Sequence, residues 1–115
     1  MSDMSPDLQI RRPAVAGRFY PGDAETLDRA VRGFLRAAPG QAEGSPVEAR
    51  MVMVPHAGYV YSGAIAGETY RAVRPRSRAV VLCPNHTGLG ARRAVSPANA
   101  FRIPGGDVQL HGHRS

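Results

Sequence analysis

Two short runs in this sequence end in the same order of residue types: Met53-Val54-Pro55-His56-Ala57-Gly58 and Leu82-Cys83-Pro84-Asn85-His86-Thr87-Gly88. Each passes from apolar residues through proline to histidine and then glycine. Imidazole is the commonest metal ligand among side chains and a proton carrier near neutral pH, and glycine lets a ligand approach the backbone closely. A loop histidine taken singly more often makes a local hydrogen bond. Two of them, placed equivalently after two apolar runs, favour a shared site. In open parallel sheets ligands bind beyond the carboxyl ends of the strands, and neighbouring strands lie about 4.8 Å apart. His56 and His86 on such strands could share one small ligand or metal ion.

Tyr59 and Tyr61 follow His56 directly, and Ser62-Gly63 is placed to open a helix whose free N–H groups would favour a phosphate or carboxylate. The plainer reading makes Ser62 a helix cap and packs the tyrosines against the sheet; for Tyr70, deep in the helix, packing is the better reading. Cys83 sits inside an apolar run and reads as a small buried hydrophobe rather than a nucleophile. Catalytic non-haem iron or zinc normally takes three protein ligands, and the oxygen-activating iron triad is two histidines with one carboxylate. Glu68, Asp107 and the His111/His113 pair are the remaining donors considered, and none follows a strand as His56 and His86 do. No third ligand stands out, which argues against metal binding by this chain alone.

The elements that must position these residues are legible as an α/β pattern. Arg12 to Gly22 reads as an extended segment ending in a Pro-Gly turn. Asp23 stands as an N-cap with Glu25 in the first turn, and Leu27, Ala30, Val31, Phe34, Leu35 and Ala38 form one apolar helical face closed by Pro39-Gly40. Gln41 to Glu48 is a surface loop. Met51 to Val54 is a short apolar run without alternation, as expected for a strand buried on both faces of a parallel sheet. Ser62 to about Arg74 reads as a second helix, ended by Pro75, and Arg78 to Cys83 as a second buried strand. Strand, helix and strand make a βαβ unit in a mostly parallel sheet. Beyond Ala94, a third short strand and irregular loops are expected, and the end of the chain is expected to be disordered.

A chain of 115 residues is one ordinary domain at most. With 43% hydrophobic and 21% charged residues it falls in the globular class, so a folded core is expected. The net charge of +6 comes from fifteen arginines and no lysine. They are spread over different elements without interleaved aromatics, which argues for a solvated basic surface and against nucleic acid. One cysteine, Cys83, needs no oxidising compartment, the residues from Met1 to Ile10 lack the pattern of a secretory signal, and no run approaches the roughly 20 apolar residues that span a bilayer. A cytoplasmic protein is expected.

Arg12-Pro13-Ala14-Val15-Ala16-Gly17-Arg18-Phe19-Tyr20-Pro21, Pro55-His56-Ala57-Gly58-Tyr59-Val60-Tyr61-Ser62-Gly63 and Pro84-Asn85-His86 together resemble the Memo family, called AmmeMemoRadiSam system protein B in prokaryotes. Phe101-Arg102-Ile103-Pro104-Gly105 resembles the next family segment less closely. The resemblance implies a fold similar to the class III extradiol ring-cleaving dioxygenases, incomplete here. It places His56 and His86 at the two histidine positions of that site, and Phe19 and Tyr61 at aromatic positions lining its pocket. It also implies further pocket residues from a C-terminal half, and links to iron or copper, redox chemistry and phosphotyrosine peptides. The expected organisation is a flexible N-terminus over 1–11, the N-terminal part of a Memo-like domain over 12–108, and a disordered or aberrant tail over 109–115. Natural truncation, a frame error and a fragment remain equally open, and an open sheet edge predicts self-association.

Two functional classes compete. One is a metal-dependent dioxygenase-like or redox protein with a small-molecule substrate, in which His56 and His86 are ligands and Tyr59 or Tyr61 orients the substrate. The other is a non-catalytic module that holds a phosphopeptide or another anion through Ser62 and the helix N-terminus. An inactive fragment is the third reading.

Overall fold

The computed structural model describes residues 8–36 and 44–111. In chain order the elements are β1 (Ile10–Arg11), α1 (Ala24–Leu35), α2 (Tyr59–Ala72), β2 (Ala100–Ile103) and β3 (Gly106–Gln109). The class is α/β, with a mixed sheet in the order β1-β2-β3: β1 lies parallel to β2, and β2 antiparallel to β3.

α1 forms where its capping chemistry places it. The Asp23 carboxylate accepts a 2.8 Å hydrogen bond from the Thr26 N–H, satisfying one of the donors that a helix start leaves free. That bond is the main reason the Asp23 carboxyl is held below its ordinary value. Glu25–Arg29 and Asp28–Arg32 pair one turn apart on the exposed side. Leu27 is buried, with Val31 and Phe34 half-buried on the inner side.

α2 packs on α1 through its glycines. A Cβ built on Gly63 would come within 2.6 Å of the Phe34 ring, and one on Gly67 would overlap the Phe34 carbonyl. Only residues without a side chain allow this approach. Arg71 then reaches back and donates to the Arg36 carbonyl at 2.6 Å, neutralising the negative end of α1. Val47 is fastened to the far end of α2: its N–H donates to Ala72 O, and Arg74 N–H donates to Val47 O, each at 2.9 Å.

In the sheet, Arg11 and Phe101 are register partners, and the guanidinium sits 5.3 Å from the ring centre. β2 and β3 form a hairpin through Pro104-Gly105, with Gly105 at φ +100°, the conformation a turn with proline first and glycine second requires. Arg102 and Asp107 face each other across it in a two-point ion pair of 2.9 and 3.1 Å. Asn99 ties the strand ends together, accepting from Gln9 N–H and Leu110 N–H and donating to Gln9 O.

Several expectations are corrected. The segment from Arg12 to Gly22 is not simply extended: Gly17, at φ +80°, reverses the chain, and Arg18 and Phe19 N–H both donate to Val15 O at 3.0 Å. The two runs expected as buried parallel strands, 51–54 and 78–83, take part in no strand, so the βαβ unit does not form. Met53 is 93% exposed and Val80 88% exposed. A continuous apolar run stays buried as a strand only where paired edges and layers on both faces enclose it. Among the described residues the sheet is built instead from 10–11, 100–103 and 106–109. The core is correspondingly thin, with Leu27 and Ala100 its buried apolar residues among those described. The radius of gyration is 16.9 Å, against about 13 Å for a compact chain of this length.

Ile10 and Arg11, expected within a flexible N-terminus, are the strand β1; the one short strand expected beyond Ala94 corresponds to β2, and β3 stands where irregular loop was expected. Of the tail expected to be disordered or aberrant over 109–115, Gln109 ends β3 and the Leu110 N–H donates to Asn99 O; residues 112–115 lie outside the described residues, as does the Pro39-Gly40 stop of α1. Among the described residues no helix is long and apolar enough to cross a membrane.

Candidate functional site

His56 arrives at the site from the N-terminal end of α2. The helix starts at Tyr59, three residues before the expected start at Ser62, with Gly58 in the N-cap position and no side-chain cap. Two bonds lock this end. Tyr59 N–H donates to the Phe19 carbonyl at 2.7 Å, and the Ser62 hydroxyl donates to the Ala57 carbonyl at 2.8 Å. Gly58 lies so close to Phe19 that an added Cβ would meet its carbonyl at 3.3 Å. His56 therefore extends from a fixed point. His86 comes from the exposed loop that follows Pro84.

The two rings meet. Their centroids are 5.0 Å apart with 65° between the planes, and both residues are exposed. The histidines were expected at the ends of two strands. They are instead carried by irregular segments, yet they converge as the repeated pattern suggested. Metal–nitrogen bonds of about 2.1 Å, ~1.2 Å more to each ring centre and an angle of roughly 100° place two imidazole centres about 5 Å apart on one ion. Two neutral rings in edge-to-face contact occupy the same range. The pair thus fits as two donors of a metal site. Among the described residues no group of three His, Cys, Asp or Glu side chains converges to complete it. Asp107 is engaged with Arg102, Glu68 is exposed on α2, and His113 lies outside the described residues.

The aromatic residues divide. Tyr59 is a packing residue: its ring lies 5.9 Å from Tyr20 and 5.8 Å, edge-on, from Phe34. Burial there, with smaller contributions from Tyr20 and Tyr70, pushes its phenol above the ordinary value. Tyr61 is 84% exposed and Phe19 half-exposed; the Phe19 ring carries the Arg18 guanidinium 5.9 Å from its centre. Tyr70, expected to pack, is 55% exposed. Ser62, read either as a helix cap or as part of an anion site, is buried inside the first turn with its proton committed to Ala57. Cys83 is exposed rather than buried, because the strand that was to enclose it does not form. Two cavities, of about 480 and 620 Å³, lie against the β2–β3 turn, and neither is lined by His56 or His86. The histidine pair is an open surface site.

A family profile described as Memo-like protein matches residues 11–114. The chain belongs to the Memo-like family. Among its relatives, a MEMO1 family protein of Aquifex aeolicus is 38% identical over 105 residues, covering 91% of this chain and 38% of the relative. One from Ignicoccus hospitalis is 41% identical over 111 residues, covering 89% of this chain and 39% of the relative. A third, from Thermococcus onnurineus, is 42% identical over 104 residues, covering 88% and 35%. This Memo-like chain thus spans less than two fifths of the length of these relatives. No solved structure matches it.

Proposed function

We propose that His56 and His86 are two ligands of a metal site, and that the chain belongs to a dioxygenase-like or redox metalloprotein acting on a small molecule. The observation that supports the reading is the 5.0 Å separation of the two imidazoles. Iron or copper, when bound, would supply the redox chemistry that side chains lack. The chain's own residues supply the rest. His56 and His86 act as neutral nitrogen donors, since a protonated imidazole has no lone pair to give. Tyr61, exposed in the first turn of α2, offers a phenol to a substrate approaching the pair, while Tyr59 serves the packing of α2. Phe19 holds the N-terminal end of α2 through its carbonyl. Among the described residues no third side chain joins the pair. The cytoplasm, where a lone exposed thiol such as Cys83 stays reduced, is the compartment we propose with this chemistry.

Anaerobic titration with Fe(II) tests the reading. Replacement of either His56 or His86 by alanine is expected to weaken binding by roughly tenfold or more. Equal binding by the wild type and both variants would end it.

A further inference from the structure

His86 has little to hold it. Residues 79–95 belong to no helix or strand and are exposed, a setting in which a side chain normally samples many positions. Its ring nevertheless rests against His56. The restraint visible beside it is the neighbouring side chain. Asn85 Oδ1 accepts hydrogen bonds from the Thr87 N–H at 3.2 Å, the Thr87 hydroxyl at 3.0 Å and the Gly88 N–H at 3.0 Å. Its Nδ2 donates to the Leu89 carbonyl at 2.8 Å. The Leu89 N–H closes the ring by donating to the Thr87 hydroxyl at 3.2 Å.

The chemistry of these partners fixes the amide's orientation, since backbone N–H groups can only donate and a carbonyl can only accept. The bonds run from the residue before His86 to the three residues after it, so His86 is enclosed in a short closed loop. Gly88 at φ +69° and Gly90 at φ +80° provide the reversals that such a loop needs. Pro84 fixes the approach by restricting its own φ.

We propose that Asn85 is the positioning residue for His86: it shapes the 85–89 loop so that the imidazole is presented to His56. The inference rests on the pair being a functional site, yet the ring contact itself can be read without metal. Aspartate at this position keeps an oxygen for the three accepted bonds but turns an acceptor toward the Leu89 carbonyl in place of the donor, whereas alanine loses all four bonds.

The experiment uses the full chain with selectively labelled histidine. NOEs between the His56 and His86 ring protons are recorded without metal, circular dichroism at 222 nm follows the helices, and Fe(II) alone serves as the binding probe. Asn85→Ala is expected to abolish the ring-to-ring NOEs and weaken Fe(II) binding about tenfold with unchanged helicity, and Asn85→Asp to restore most of the NOEs. Retained NOEs in Asn85→Ala would overturn the proposal. So would equal loss in Asn85→Asp, or loss of helicity alongside the NOEs, which would make Asn85 a general support of the fold. A wild-type chain with the NOEs but no Fe(II) binding would remove the metal reading alone.

Discussion

The carbonyl of Phe34 occupies the space that a Cβ on Gly67 would need. This contact, with the Phe34 ring against Gly63, sets how closely α1 and α2 approach, and thereby where the N-terminal end of α2 holds His56.

Gly67→Ala is expected to destabilise the protein by about 1–3 kcal/mol. In an open helix the same substitution would stabilise by up to ~1 kcal/mol. Here the obstructing atom is backbone and cannot swing aside. Denaturant unfolding followed by circular dichroism decides the sign, and a more stable variant would mean that the helices are not in this contact.

Tyr59 yields a pH dependence. Its phenol ionises above the ordinary value of 10.0 because the ring is partly buried between Tyr20 and Phe34. The folded protein thus holds the proton more tightly than the unfolded chain. The stability this contributes is complete below about pH 10 and is lost as the pH rises through the higher folded-state value. Tyr59→Phe keeps the packing and has no proton to lose, so its stability should fall less steeply in alkali. Parallel curves for wild type and variant would contradict the packing role.

Asp107 behaves in the opposite sense. The hydrogen bond from Arg102 holds its carboxyl below the ordinary 3.8, so the hairpin gains from the pair above that value and loses it as the pH falls through the depressed one. Asp107→Asn at neutral pH is expected to speed amide exchange in β2 and β3 by a few-fold, with little change in α1. Unchanged exchange would mean that the pair contributes nothing, as exposed pairs sometimes do.

These elements were not equally legible in the sequence. α1 was, because a cap, an acidic first turn and an apolar face all agree, and each acts within one turn of helix. α2 was read three residues late. Ser62 is a good capping residue by type, but its hydroxyl bonds Ala57 O, and Gly58 occupies the cap position. β3 was missed because Asp107-Val108-Gln109 is short and polar; the available signal was Pro104-Gly105, read only as irregular loop. The runs 51–54 and 78–83 were misjudged for a different reason. Apolarity records that a segment would gain by burial, but says nothing of which residues lie over it. The histidine pair was legible because the same proline and glycine punctuation surrounds both rings. Asn85 was not, since a hydrogen-bonded loop leaves no periodic trace.

The exposed apolar runs carry the last expectation. Met51, Val52, Met53, Val80, Val81 and Leu82 all face solvent at least in large part, and the contact between His56 and His86 brings the ends of the two runs together. Unpaired backbone beside exposed apolar side chains is a template for strand addition. The net charge of +6 opposes the approach of a second copy, and salt screens that repulsion within a Debye length of about 8 Å at physiological ionic strength. Association should therefore grow with both protein and salt concentration, and sedimentation velocity measures it directly. A double variant, Met53→Lys with Val81→Lys, adds charge within both runs and should shift the protein toward monomer. If the wild type instead sediments as a monomer at every salt concentration and unfolds cooperatively, these runs do not act as an adhesive edge.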